Sequence, residues 1–225
     1  MSTFKSIVKS TATVFAGLTL ASAASAATFN FDLQAPTSSV NKSGSYADQY
    51  NYTVDGVDMR VNGYTHRSGT TTEQKVGIFR GYGMGVEQAS GNEHTLDNNN
   101  GLDYLTFSFD QDMILDSATV GWYSQDSDIS IYAHNGTGFT KIDDGINMRS
   151  DVARDFNGDD FASSIWAIAA YDGSDKSISY GNDFVKMSFV SFSSAPVAAP
   201  APATLGLMSI VLAGLGLRKR ARKAA

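Results

Sequence analysis

The stretch from residue 28 to residue 192 predicts an all-β fold, a β-sandwich of jelly-roll type, with a closed barrel as the alternative. Three observations carry that expectation. Apolar and polar residues alternate over short runs, clusters of Gly, Asn, Asp and Ser separate the runs, and helical periodicity is hard to find. The 13 Phe, 10 Tyr and 2 Trp supply the volume to fill a layer between facing sheets.

Phe29 and Phe31 alternate in the first predicted strand. Tyr50, Tyr52 and Val54 alternate in the next, and Val57, Met59 and Val61 in the one after. Asp55-Gly56 lies between those two runs, and both residues tolerate positive φ, which makes the pair a hairpin signal. Leu105, Phe107 and Phe109 share one face of a further strand, followed by Ala118, Val120 and Trp122, then by Ile129, Ile131 and Ala133. Residues 164–170 and 184–192 are apolar enough to be buried on both faces. Residues 69–75 and 91–101 read as exposed loops, and residues 80–85 as a glycine-rich strand or bulge.

Both ends depart from this pattern. Lys5 and Lys9 precede the uncharged, partly apolar residues 10–20, and a small-residue run follows. Ala24 and Ala26 provide the small side chains that signal peptidase requires, which places a cut after Ala26. An apolar stretch this short falls below the ~20 residues needed to cross a bilayer. At the far end, residues 205–217 read LGLMSIVLAGLGL without a charge, and Arg218, Lys219 and Arg220 follow directly. Counted back to Val197, the uncharged region reaches membrane-spanning length, and the basic cluster is expected on the cytoplasmic side. The expected organisation is a signal helix over 1–26, an ectodomain over 27–192, an Ala/Pro linker over 193–203, and a transmembrane helix with a basic tail over 204–225.

Seven of the 17 Lys+Arg lie in the two end segments, whereas all 23 Asp+Glu lie between them. The middle therefore sets ten basic residues against 23 acidic ones, a net charge of −13. Such a surface repels phosphates, so nucleic acid is not an expected partner. With no cysteine, disulfides, thiolate metal sites and cysteine nucleophiles are all excluded.

Pro200, Ala201 and Pro202, then a short apolar helix, then the basic end, resemble the PEP-CTERM sorting signal. Pro200 and Pro202 match the two prolines of that signal, and Ala201 stands where it usually has glutamate. The resemblance implies processing by an exosortase, a membrane-embedded cysteine protease-transpeptidase of Gram-negative bacteria that make exopolysaccharide. The inner membrane would hold the chain only until the tail is clipped near Pro202, and the product would pass to the cell surface or matrix. The domain itself is similar to the exosortase-dependent surface proteins. That likeness rests on residues 94–98, 103–105, 121–122 with 126–129, 163–166 with 169–171, and 181–184. It carries no molecular activity with it.

No spacing singles out a pair of carboxylates for glycoside hydrolysis, no Gly-x-Ser-x-Gly elbow is present, and no helix start follows the glycines of residues 80–85 to hold a phosphate. His66, His94 and His134 are too widely spaced to suggest zinc. No catalytic residue is assigned, and an enzyme is not expected. The sharper metal candidate is calcium. Asp155, Asn157 and Asp159 place oxygen ligands at alternate positions, although Asp160 occupies the position of the EF-hand glycine and Trp166 that of its glutamate. Asp126 and Asp128 flank Ser127 before a strand and could add ligands at a rim. The competing interpretation is that these acids cap their own turns. Tyr46, Tyr50, Tyr52 and Tyr64 are candidate platforms for sugar rings, against which stands their ordinary use in covering a pleated face. The expectation is a non-enzymatic surface or matrix protein associated with exopolysaccharide or biofilm. The alternatives are a carbohydrate-binding module, calcium-dependent or not, and a secreted glycan hydrolase.

Overall fold

Two strands and a two-residue turn form where Asp55-Gly56 predicts them. β4 (Gln49–Val54) runs into β5 (Val57–Arg67), with Val54 opposite Val57. Asp55 and Gly56 take φ of 49° and 82°, as a tight twisted hairpin requires. In the computed structural model, the described residues are 26–87, 94–99, 101–156, 161–173, 181 and 183–195. They belong to a compact unit spanning Ala26–Ala195. The signal segment, the proline motif and the basic tail lie outside the described residues, apart from the exposed Ala26.

The described residues are all-β, with no helix among them. Besides β4 and β5, the strands are β1 (Thr28–Asp32), β2 (Ser38–Val40), β3 (Tyr46–Ala47), β6 (Thr70–Gln74), β7 (Val76–Phe79), β8 (Gly83–Val86) and β9 (Leu96–Asp97). They continue with β10 (Leu102–Gln125), β11 (Asp128–His134), β12 (Phe139–Asn147), β13 (Ala153–Asp155), β14 (Ser163–Ala170) and β15 (Asp183–Ser194). Hydrogen bonds link them into one network with the path β12-β11-β14-β10-β15-β8-β7-β3.

β10 makes that network continuous. Its first half lies between β5 and β14, and its second half pairs with β15 on one side and β13 on the other. The register with β14 breaks between Ser108 and Met113, where Asp110, Gln111 and Asp112 are exposed. The indole N–H of the buried Trp166 donates to the Met113 carbonyl (2.9 Å) and to the Ser163 carbonyl (3.1 Å) at this break. Three further register shifts against β15 bend the strand more, since bulges raise local twist. The sheet curls until its inner faces meet. Phe192 of β15 lies 4.7 Å from Phe109 and 6.1 Å from Phe107, with Phe31 of β1 and Trp166 of β14 against it at 6.4 Å. Offset and edge contacts at these distances suit the quadrupoles of the rings.

The alternating faces lie as expected in β1, β4, β5, β11 and the first half of β10. Four sequence expectations change. Residues 91–101 do not form an exposed loop throughout, because Thr95, Leu96, Asp97 and Asn98 are buried where β9 pairs with β15, Leu96 opposite Val185 and Asp97 opposite Phe184. Residues 69–75 are not a loop. After a second tight turn at Ser68 and Gly69 (φ 49° and 77°), β6 pairs with β5 as an exposed edge strand, which its threonines favour. The runs around Phe107 and Val120 belong to one 24-residue strand. Finally, β15 extends past Phe192 to Ser194, because β1 pairs with it as far as Thr28 opposite Ser193.

Candidate metal centre

At one end of the sheet, the turn after β10 and the first residues of β11 and β15 meet. Gln125, with φ of 64°, turns the chain out of β10, and Asp126 bridges to Ser124 on one side and to Asp183 on the other. Asp128 opens β11, and Asp183 opens β15. One carboxylate oxygen from each of Asp126, Asp128 and Asp183 lies within 4.8 Å of the others. Asp126 is half-buried, whereas Asp128 and Asp183 are buried.

Hydrogen bonds fix the arrangement. The Asp128 backbone N–H donates to Asp183 Oδ1 (2.9 Å), and Asn98 Nδ2 donates to Asp183 Oδ2 (2.5 Å). Asn98 also accepts from the Asp183 N–H (3.2 Å) and donates to the Tyr171 carbonyl (3.0 Å). Asp126 Oδ1 accepts from its neighbour's N–H at Ser127 (2.9 Å) and from Asn147 Nδ2 (3.3 Å). Burial, with added repulsion from Asp128 and Asp126, pushes the Asp183 carboxyl up to about 6 despite those hydrogen bonds. Burial first, then Asp126, also raises the Asp128 carboxyl, while Asn147 opposes the rise.

Three carboxylates without nitrogen or sulfur donors form a hard-oxygen set, which suits calcium better than a soft metal. An upper separation of 4.8 Å is close to twice a calcium–oxygen bond of about 2.4 Å, so one ion could reach all three. A cation there would also relieve the repulsion that raises the two buried carboxyls. Calcium takes six to eight oxygens, so waters or further carbonyls would have to complete the shell.

Of the residues the sequence nominated for calcium, the fold brings Asp126 and Asp128 together. Asp155 lies elsewhere, exposed on β13 and opposite Ser117, while Asn157 and Asp159 lie outside the described residues. Asp183 was missed. It lies 55 residues beyond Asp128 in the chain, and only the convergence of β11 and β15 joins them. Its one sequence signal is its place at the head of a long apolar strand. The histidines sit apart, with His66 on β5, His94 against Phe79 and His134 at the end of β11.

The nominated tyrosines divide. Tyr50 and Tyr52 are core residues whose hydroxyls donate to the Ser45 and Leu33 carbonyls (2.8 and 2.7 Å). Tyr46 packs edge-on against Phe79. Tyr64 alone of the four stacks on an outward-facing partner, Tyr104, at 5.3 Å. The chain matches no family model, no curated protein and no solved structure.

Proposed function

We propose that this chain is an exported, exosortase-processed surface or extracellular-matrix protein of a Gram-negative bacterium. Its β domain is a non-enzymatic, structural or adhesive module associated with exopolysaccharide, and its fold is a jelly-roll-like sandwich. One observation carries the proposal: among the described residues the strands run from Thr28 to Ser194, the stretch that lies between the two sequence labels. The two ends also leave the sheet side by side, Thr28 opposite Ser193, and the Ser194 N–H donates to the Ala27 carbonyl (3.0 Å). A domain whose ends emerge together can lose both labels without losing a strand. Facing aromatics from β15 and from β10 with β14 support the sandwich description. Intact-mass analysis of the protein recovered from cells tests the processing. A species beginning at Ala27 and ending near Pro202 is expected; a cytosolic species still ending at Ala225 overturns the proposal.

Calcium at the Asp126, Asp128 and Asp183 cluster is part of the same proposal, as a staple between β11 and β15. A second reading, carbohydrate binding, is favoured by the outward stack of Tyr64 on Tyr104 and by the hollow beside it.

A further inference from the structure

β10 turns Leu105 and Phe107 inward, β14 turns Trp166 and Ile168 inward, and β11 turns Ile131 and Ala133 inward. Alternation therefore points Tyr104, Ala167, Ala169 and Tyr132 to the opposite face. The register sets them in two rows across the strands. One runs Tyr64, Tyr104, Ala169, Ser130, and the other Asn62, Thr106, Ala167, Tyr132, Lys141. Large rings flank two alanines, and the result is a trough. Its cavity of about 270 Å³ has Ala167 and Ala169 as floor, Tyr104 and Tyr132 as walls, and Phe139 and His66 at the margin. A second hollow of about 520 Å³ shares His66 and Leu102 and continues past Asn99 to Asp172. Small-ligand clefts span roughly 300–1,000 Å³, so the combined trough is of binding size.

The Tyr132 wall is held in place. Its hydroxyl donates to Asp172 Oδ2 (2.6 Å), Lys141 bridges Asp172 and Asp144 (3.0 Å to the latter), and Ser130 Oγ donates to Asp144 Oδ1 (2.6 Å). A wall fixed before binding loses little entropy when it is used.

We propose that this trough binds an uncharged pyranose segment of a polysaccharide. The proposal rests on the carbohydrate-binding reading above and gives it a place and a ligand class. A pyranose has apolar C–H faces and a rim of hydroxyls, which suits tyrosine faces over an alanine floor with carboxylate, amide and imidazole groups at the margins. The domain's net charge of −13 disfavours a polyanionic glycan; beside the trough itself, Lys141 pairs with Asp172 and Asp144, and Arg67 lines the second hollow. A peptide adding itself as a strand finds no free edge in the floor, because β14 and the first half of β10 are both paired on each side; the edge strands β6 and β12 lie at the margins.

The test is isothermal titration of the full chain, purified in a sugar-free zwitterionic detergent, with neutral hexaoses of glucose, mannose and galactose and with a polyuronate hexamer. Saturable binding of at least one neutral hexaose is expected, and tighter binding of the polyuronate overturns the proposal. Phe139 is 44% exposed, so Phe139→Ala should keep the melting temperature and weaken binding about tenfold. Ala169→Leu fills the floor and should abolish binding, whereas Tyr123→Ala, an exposed aromatic outside the trough, should leave it unchanged. Binding of a neutral hexaose that Phe139→Ala leaves undiminished overturns the trough while the carbohydrate-binding reading survives. A folded wild-type chain that binds none of the neutral hexaoses overturns both.

Discussion

At Asp183 the folded chain holds a carboxyl that keeps its proton more tightly than the unfolded chain does. Its folded-state pKa of about 6 stands above the usual 3.8, so between those values the folded state binds more protons. Stability must then fall as pH rises through that window, and the loss is complete above about pH 6. A rise of that size corresponds to on the order of 2–3 kcal/mol. Denaturant titrations in chelator at pH 4, 5, 6 and 7 should show this downward component, and Asp183→Asn should flatten it. An unchanged slope in the variant would refute the assignment. Absolute stability of that variant should drop as well, since its new amide N–H₂ would face the Asn98 donor that Asp183 Oδ2 now accepts. Lys186 presents the opposite case. Burial lowers its pKa, and its ammonium lies 4.1 Å from the centre of Trp122 and 5.1 Å from that of Phe79. Lys186→Ala removes stem and cation together and should cost about 2 kcal/mol in chemical denaturation. Lys186→Met keeps the stem and removes a charge that is costly to bury, so it should stay within about 1 kcal/mol of wild type.

Single elements depend on the approach of one backbone to another. In β8, a Cβ on Gly83 would sit 2.5 Å from the Met187 carbonyl oxygen, and φ there is +114°. A Cβ on Gly85 would collide with the His94 carbonyl. Those contacts explain the glycine-rich stretch at residues 80–85 without any phosphate: β8 must lie against β15 and the residues before β9 with no side chains between. Gly83→Ala should cost about 3 kcal/mol or more, from backbone strain and displacement together. Gly138→Ala meets open space at an ordinary φ and should stay within about 0.5 kcal/mol. Melting curves of the two variants measured side by side check the contrast. Local signals of this kind are readable in the sequence, as the Asp55-Gly56 hairpin and the face of Leu105, Phe107 and Phe109 show. β6 escapes such a reading because an exposed edge strand has no apolar alternation to reveal it. β10 reads as two strands because Asp110, Gln111 and Asp112 have the composition of a turn, and the partners that hold the strand around them, Ser163 and Trp166 of β14 and Ser194 of β15, lie 50 or more residues downstream of Met113. The carboxylate cluster is only partly legible for the same reason. Asp126 and Asp128 are neighbours in sequence, whereas Asp183 reaches them only through strand pairing. The trough is illegible because its two tyrosine walls face each other only when β14 lies between β10 and β11.

For the molecule as a whole, charge couples the cluster to everything else. A domain carrying −13 repels itself, and any salt eases that repulsion by screening over about 10 Å at 0.1 M. Stabilisation by a divalent ion is therefore not by itself a sign of a site, and the two effects must be separated by their form. Screening depends on ionic strength and is indifferent to a single residue. Binding saturates with concentration and depends on Asp126, Asp128 and Asp183. The comparison is a series of melting curves in calcium chloride and in sodium chloride at matched ionic strength, for wild type and for Asp126→Asn. Asp126 is the residue to change, because it is half-buried and its amide can still accept from the Ser127 N–H. An ion at ten times its dissociation constant adds about 1.4 kcal/mol, which for a domain of this size raises the melting temperature by roughly 3–5 °C beyond the sodium control. Asp126→Asn should lose that excess and keep the screening component. It should also melt higher than wild type in chelator, since one of the charges crowding Asp128 and Asp183 is gone. Equal curves in the two salts for wild type would show that the three carboxylates meet only as the shared end of β10, β11 and β15, and that no ion joins them.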